Sequence, residues 1–228
     1  FALLSLCINY RVRHGRIPES PFIYLLNCKP LDDSDFKDIP KVIAKELLPE
    51  YIRYIHCGDE SSAQQVLSEL HENIKGAVSV DDTDKYFFVF GYQRAEELKS
   101  EIKLSQGDDI DSLFNLMKNG SNKPQLSPKE LFHLIVKAGA KQGVHVILWQ
   151  DSYKALEQDD NNIMSYFNLK VAFDMSPEEF SRSVGENDIS LLSENNAIYY
   201  NKARDNQKFR PYQAPDEEWL KGISMKLH

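Results

Sequence analysis

Cysteine is scarce in this 228-residue chain: Cys7, Cys28 and Cys57 are odd in number and follow no metal-ligand spacing. A disulfide framework needs a dense, even set and a zinc motif needs closely paired cysteines, so the pattern suits reduced thiols in a cytoplasm and predicts no metal centre. No apolar run approaches the roughly 18 residues of a membrane span, and no basic-then-apolar leader opens the chain. None of the ten glycines is followed by lysine, which excludes a G-x-x-x-x-G-K-[ST] phosphate loop from these residues. Dinucleotide (G-x-G-x-x-G), serine-hydrolase (G-x-S-x-G) and zinc-protease (H-E-x-x-H) signatures are missing too. Positive charge is in deficit, with 27 basic against 35 acidic residues and a net charge of -8. Such a surface does not coat nucleic acid or an anionic membrane indiscriminately, so any nucleic-acid contact must be local.

What is present is an alternation of helical and strand patterns. F-A-L-L-S-L-C-I-N-Y puts Leu3, Leu4, Cys7 and Ile8 at helical spacing, and a chain that starts at Phe1 inside such a stretch reads as part of something longer. F-I-Y-L-L-N-C at 22–28, a short run at 51–56 and K-Y-F-F-V-F at 85–90 read as strands. Between them lie a helical pattern (Ile43, Leu47, Leu48) and a helix starting at Ser61 or Ser62 with Val66, Leu67 and Leu70 inside. Q-R-A-E-E-L-K-S-E-I-K at 93–103 has the composition of an exposed helix, its Glu96 and Glu97 on a solvated face. Residues 101–127 read as a long polar loop with a short helix around Ile110 to Met117, and S-P-K-E at 127–130 reads as a capping box opening a helix to about Gln142.

Strands separated by helices at this rhythm predict one α/β domain over 1–228, with a doubly wound, mostly parallel sheet. G-V-H-V-I-L-W-Q-D at 143–151 and F-N-L-K-V-A-F-D-M-S at 167–176 read as neighbouring buried strands of that sheet. A short helix (Pro177 to Val184), a turn at Ile189 to Leu192 and two brief strands, Ala197 to Tyr200 and Gln207 to Arg210, predict a small antiparallel edge at the C-terminus. Open α/β sheets bind ligands beyond the carboxyl ends of their strands, so Gln150, Asp151 and Asp174 are the first candidates for chemistry. Asp151 has two readings, a ligand contact or the N-cap of a helix starting at Ser152. Trp149 reads as a packing residue and His145 as a hydrogen-bonded core histidine.

The segments G-V-H-V-I-L-W-Q-D, L-K-V-A-F-D-M-S-P-E-E-F-S-R-S and L-L-S-E-N-N-A-I-Y together resemble the closing half of the FtsK/SpoIIIE-type motor ATPase core, within the FtsK/HerA group. That family has a G-x-H strand ending near a sensor glutamine, an R-I-A-F stretch followed by S-R, and then L-L-G-x-G-D-x-L-Y. The resemblance implies a RecA-like P-loop core cut before or at its P-loop helix. It also implies ATP and Mg²⁺ as cofactors, ring assembly, and double-stranded DNA as partner. It places Asp151, Lys170 and Arg182 at catalytic positions, with Gln150, Asp151 and Tyr212 facing nucleotide. Lys118 and Lys123, in the polar loop, become the DNA candidates, against the reading of a merely solvated loop. Alternatives stand beside these roles: a surface ion pair with Glu178 or Glu179 for Arg182, and docking of the tail through Trp219 for Pro211 and Tyr212. The departure is K-Y-F-F-V-F, which stands where the family has its Walker B strand but ends in Gly91 and Tyr92 instead of Asp-Glu, giving a metal no ligand and water no base; Glu96 and Glu97 could substitute only if their helix turned inward, against the reading of a solvated face. Two readings follow, an ATP-hydrolysing core of a DNA translocase or a degenerate, non-hydrolysing scaffold or regulatory module.

Overall fold

Leu3, Leu4, Cys7 and Tyr10, three and four residues apart, line the buried side of α1 (Ala2–His14). In a computed structural model the described residues are 2–29, 39–76, 84–101, 126–159, 163–184, 196–201, 204–212 and 215–228. After α1 come β1 (Ile23–Asn27), α2 (Ile39–Val42) continued as a π-helical turn over Ile43–Leu47, β2 (Ile52–His56), α3 (Glu60–Ile74) and β3 (Lys85–Phe90). Then follow α4 (Pro128–Ala138), β4 (Val144–Trp149) and α5 (Tyr153–Asp159). β1 to β4 form one parallel sheet in the order β2-β1-β3-β4.

β1 explains why the sheet is covered on both faces. Tyr24 and Leu26 point one way, joining Phe87 and Val89 against Val66, Leu67 and Leu70 of α3 and Leu131, Phe132 and Ile135 of α4. Ile23 and Leu25 point the other way and meet Ile52, Phe88, Leu4 and Cys7 of α1, and the C-terminal helix α7 (Glu217–Leu227) through Leu220 and Leu227. A strand buried on both faces has no polar alternation, which is why its sequence is a continuous apolar run. The expected capping box is present: Ser127 Oγ accepts from the Glu130 amide at 3.2 Å while the Glu130 carboxylate accepts from the Ser127 amide at 2.9 Å. α3 starts slightly earlier than expected because Asp59, not a serine, caps it, accepting from the Ser62 amide at 3.0 Å.

Two expectations fail. Residues 93–101 are not an exposed helix: Tyr92–Arg94 and Glu96–Leu98 are separate 3₁₀ turns, and Tyr92, Ala95, Glu97 and Leu98 are buried. Helix-favouring composition yields to burial of Tyr92 and Leu98 in the same cluster as α3 and α4. Nor does β5 (Leu169–Ala172) lie beside β4. It pairs antiparallel with β6 (Ala197–Asn201), which pairs with β7 (Arg204–Phe209), in a separate three-stranded sheet. Leu169 and Val171 are 55% and 47% exposed, unlike a strand inside a covered parallel sheet. α6 (Pro177–Val184) covers this small sheet, placing Phe180 and Val184 against Ala172 and Ile198. The antiparallel ending is thus larger than an edge and includes a strand expected elsewhere. The expected helix at 110–117 and turn at 189–192 lie outside the described residues.

Among the described residues no helix is long and apolar enough to cross a membrane. The chain leaves β1 toward β2 on one side and returns to β3 on the other, so the topological switch point lies between the carboxyl ends of β1 and β3.

Candidate functional site

The carboxyl ends of the four parallel strands meet along one rim, and Gly91 sets its shape. Gly91 has φ 76°, and a Cβ there would sit 2.9 Å from the Cys28 carbonyl oxygen, so only glycine lets β3 turn so close to β1. The Gly91 amide donates to the Trp149 carbonyl at 3.1 Å, and the Arg94 amide donates back to Gly91 at 2.9 Å. This tight turn swings Gln93 and Arg94 toward the end of β4.

Asp151 is the hub of the rim. Its Oδ1 accepts from Lys29 Nζ at 3.2 Å and from Trp149 Nε1 at 3.3 Å, and its Oδ2 accepts from Arg94 Nη1 at 3.1 Å and from Gln93 Nε2. Lys29 Nζ also stands 5.4 Å from the Trp149 ring centroid. Beside it, Gln150 Oε1 accepts from the Gln93 amide at 3.1 Å and Gln150 Nε2 donates to the Ser152 carbonyl at 3.1 Å. Of the two readings of Asp151, the N-cap is not what the structure gives; Ser152 Oγ accepts from the Ala155 amide at 3.4 Å instead. Partial burial pushes the Asp151 carboxyl up, but hydrogen bonds from Arg94 and Lys29, the Lys29 charge and Gln93 outweigh it and hold the group below its ordinary value.

A carboxyl depressed in the folded state contributes stability above the unfolded value and loses it as pH falls through the folded one. Asp151→Asn should therefore be less stable than the parent at neutral pH, with the gap closing as pH drops below about 4, the ordinary carboxylate value. Denaturant midpoints of both proteins from pH 7 to 3 check this, and a gap that widens on acidification refutes it.

A second cluster sits beside the first. Glu97 is 3% exposed, accepts from the Gly58 amide at 3.1 Å, and lies 3.6 Å from Cys28 Sγ. Cys57 Sγ lies 3.7 Å from the Arg94 carbonyl, and donor atoms of Cys28, Cys57 and Glu97 all fall within 4.8 Å of one another. Burial pushes the Cys28 thiol far up, reinforced by Cys57 and Glu97. Sequence spacing gave no hint of this cluster, because the cysteines follow different strands and Glu97 comes from a stretch that reads as a solvated helix. The pairing register contains the missing signal: Asn27 lies opposite His56, so Cys28 and Cys57 each stand one residue beyond the same rung.

The other candidates lie apart from this network. Lys170 Nζ donates to the Ser183 carbonyl at 2.7 Å and stands over the Tyr200 ring, tying β5 to α6 and β6. Arg182 forms the surface ion pair with Glu178, at 2.7 Å. Tyr212 is 83% exposed, and Asp174 is exposed without joining Asp151. His145 is not a core residue; it stacks on Tyr86 and lies 3.6 Å from Asp84. Trp149 is partly exposed and stacks on Phe173 at 5.7 Å. Lys118 and Lys123 lie outside the described residues. An open cleft of about 750 Å³ near the start of α4, lined by Glu101, Ser127, Glu130, His133 and Tyr166 among others, contains none of the rim residues.

No protein-family model matches the sequence, and no curated protein matches it. Among solved structures, the chain is similar to the cytoplasmic domain of the type VII secretion ATPase EccC from Thermomonospora curvata, with a TM-score of 0.51 and 13% identity. The match covers 93% of this chain and 24% of that one. At this identity the likeness establishes a shared α/β fold, and the chain spans about a quarter of the length of its structural neighbour.

Proposed function

We propose that this chain is an ATPase-type α/β module in degenerate, non-hydrolysing form, serving as a scaffold or regulatory part of a longer protein. The observation that carries this reading is the end of β3. A hydrolysing P-loop site needs one carboxylate for the Mg²⁺ shell and one to orient water at this strand end. Gly91 can hold no side chain there without striking Cys28, and Tyr92 is 2% exposed and stacked on Phe132 at 5.5 Å. These residues do not fit a Mg²⁺–nucleotide complex, and Asp151 is committed to Lys29 and Arg94. An anionic ligand at the rim would have to displace Asp151 from those cations.

A second reading keeps the motor: ATP-driven action on double-stranded DNA in a ring, with a P-loop preceding Phe1 and Lys118 and Lys123 touching DNA. It draws support from the similarity of fold to an ATPase and from the two cations at the rim. Steady-state ATP turnover by the full-length protein separates the readings. Under the first, turnover is absent or is unchanged by Lys29→Ala and Asp151→Asn. A drop of tenfold or more in either variant, about 1.4 kcal/mol in the barrier, overturns it. Salt-sensitive DNA binding weakened by Lys118→Glu and Lys123→Glu would support the second reading.

A further inference from the structure

We propose that Cys28, Cys57 and Glu97 form a binding site for one zinc-type divalent cation, a site separate from any nucleotide chemistry. The three ligands come from three elements of the rim: Cys28 just after β1, Cys57 just after β2, and Glu97 from the second 3₁₀ turn after β3. Hydrogen bonds fix the backbone beneath them, with the Cys28 amide donating to the Phe90 carbonyl at 2.8 Å. The Cys28 Sγ to Glu97 Oε1 distance of 3.6 Å is close to the edge of roughly 3.5 Å that a tetrahedron with Zn–S near 2.3 Å and Zn–O near 2.0 Å implies. The whole triad lies within 4.8 Å, so modest side-chain rotation, not backbone movement, brings Cys57 to the roughly 3.8 Å sulfur–sulfur edge of the same figure.

Charge points the same way. Glu97 is buried, yet among the described residues no lysine, arginine or histidine pairs with it. Arg94 spends its charge on Asp151, and Lys99 pairs with Glu96 at 3.6 Å. A buried carboxylate beside a buried thiol is costly unless a cation compensates it. Two sulfurs and one oxygen are a soft donor set that selects zinc over Mg²⁺ or Ca²⁺, both of which prefer shells of oxygen. The Gly58 amide holds the Glu97 carboxylate in orientation, the outer-shell support that metal ligands typically have. Cys57 is exposed, so the fourth position opens to solvent and takes a water. On binding, the two thiols release their protons to solvent and bind as thiolates.

The test is Co²⁺ titration of the full-length protein, purified reduced and free of chelator, read by thiolate-to-cobalt charge transfer and tetrahedral d–d bands, with zinc content per chain measured alongside. Binding at one equivalent is expected, displaced by zinc. Cys57→Ser, at an exposed position, and Glu97→Gln, which keeps its shape and its acceptor for Gly58, should each weaken binding by more than the roughly 10–100-fold typical of outer-shell changes. Three outcomes overturn the proposal: no charge-transfer band, a band that persists unchanged in both variants, or a Cys28–Cys57 disulfide without metal in peptide maps of the freshly isolated protein. None of these depends on ATP turnover, so the site stands or falls apart from the functional reading above.

Discussion

Gly91→Asp, which places a carboxylate at the end of β3, is expected to destabilise the protein by about 3 kcal/mol and to yield no Mg²⁺-dependent turnover. The backbone at Gly91 has a φ of 76°, where a side chain costs energy whatever surrounds it, and here the Cβ would also lie 2.9 Å from Cys28 O and 3.1 Å from Cys28 C. Those neighbours are backbone atoms one residue beyond β1, held by the Cys28 amide's bond to the Phe90 carbonyl, so they cannot rotate aside. Gly91→Ala separates strain from charge, because it carries the same Cβ and no carboxylate; urea midpoints should drop for both substitutions. If Gly91→Ala is neutral, the strain argument is wrong. If Gly91→Asp gains ATP turnover, the non-hydrolysing reading is wrong.

Phe132→Ala should cost about 3–5 kcal/mol, a substantial share of the 5–15 kcal/mol that holds a typical domain folded. Phe132 is fully buried, edge-on to Phe87 at 6.2 Å and stacked on Tyr92 at 5.5 Å. Its loss therefore removes the support beneath the turn that carries Gln93 and Arg94. Urea denaturation measures the stability, and hydrogen exchange should show residues 92–98 losing protection more than α1. By contrast, Phe173→Ala, which removes a 41% exposed ring stacked on Trp149, should cost well under half as much. Equal costs at the two positions would show that burial does not rank these rings.

The parallel sheet was legible because β1 and β3 are sandwiched between helices, and burial on both faces leaves a continuous apolar run in the sequence. The start of α4 was legible because Ser127 and Glu130 satisfy each other locally. The 93–101 stretch was not. Its charged residues favour a helix, and only the pull of Tyr92 and Leu98 into the core breaks it, turning Glu97 inward. Nothing local distinguishes β5 from a strand of the parallel sheet, since both begin as short apolar runs; its antiparallel partner comes later in the chain. At the site, Asp151 could be picked out by its place after β4, but Lys29 and Arg94 could not, because neither has any motif and only the convergence of three strand ends joins them. The pairing of Cys28 with Cys57 likewise exists only in the register.

The packing of α7 onto the opposite end of the chain bears on how the molecule is made. Leu220 and Leu227 close the cluster beneath α1, Tyr51 Oη donates to the Leu227 carbonyl at 3.0 Å, and Ser224 Oγ donates to the Leu47 carbonyl at 2.9 Å. During synthesis, α1, β1 and the π-helical turn therefore leave the ribosome long before the helix that seals them. At translation rates of about 5–20 residues per second, that face waits on the order of ten seconds or more with its apolar side open. The opposite face, built from α3, β3 and α4, is complete much earlier and steadies the sheet from the side away from the one on which the late helix docks.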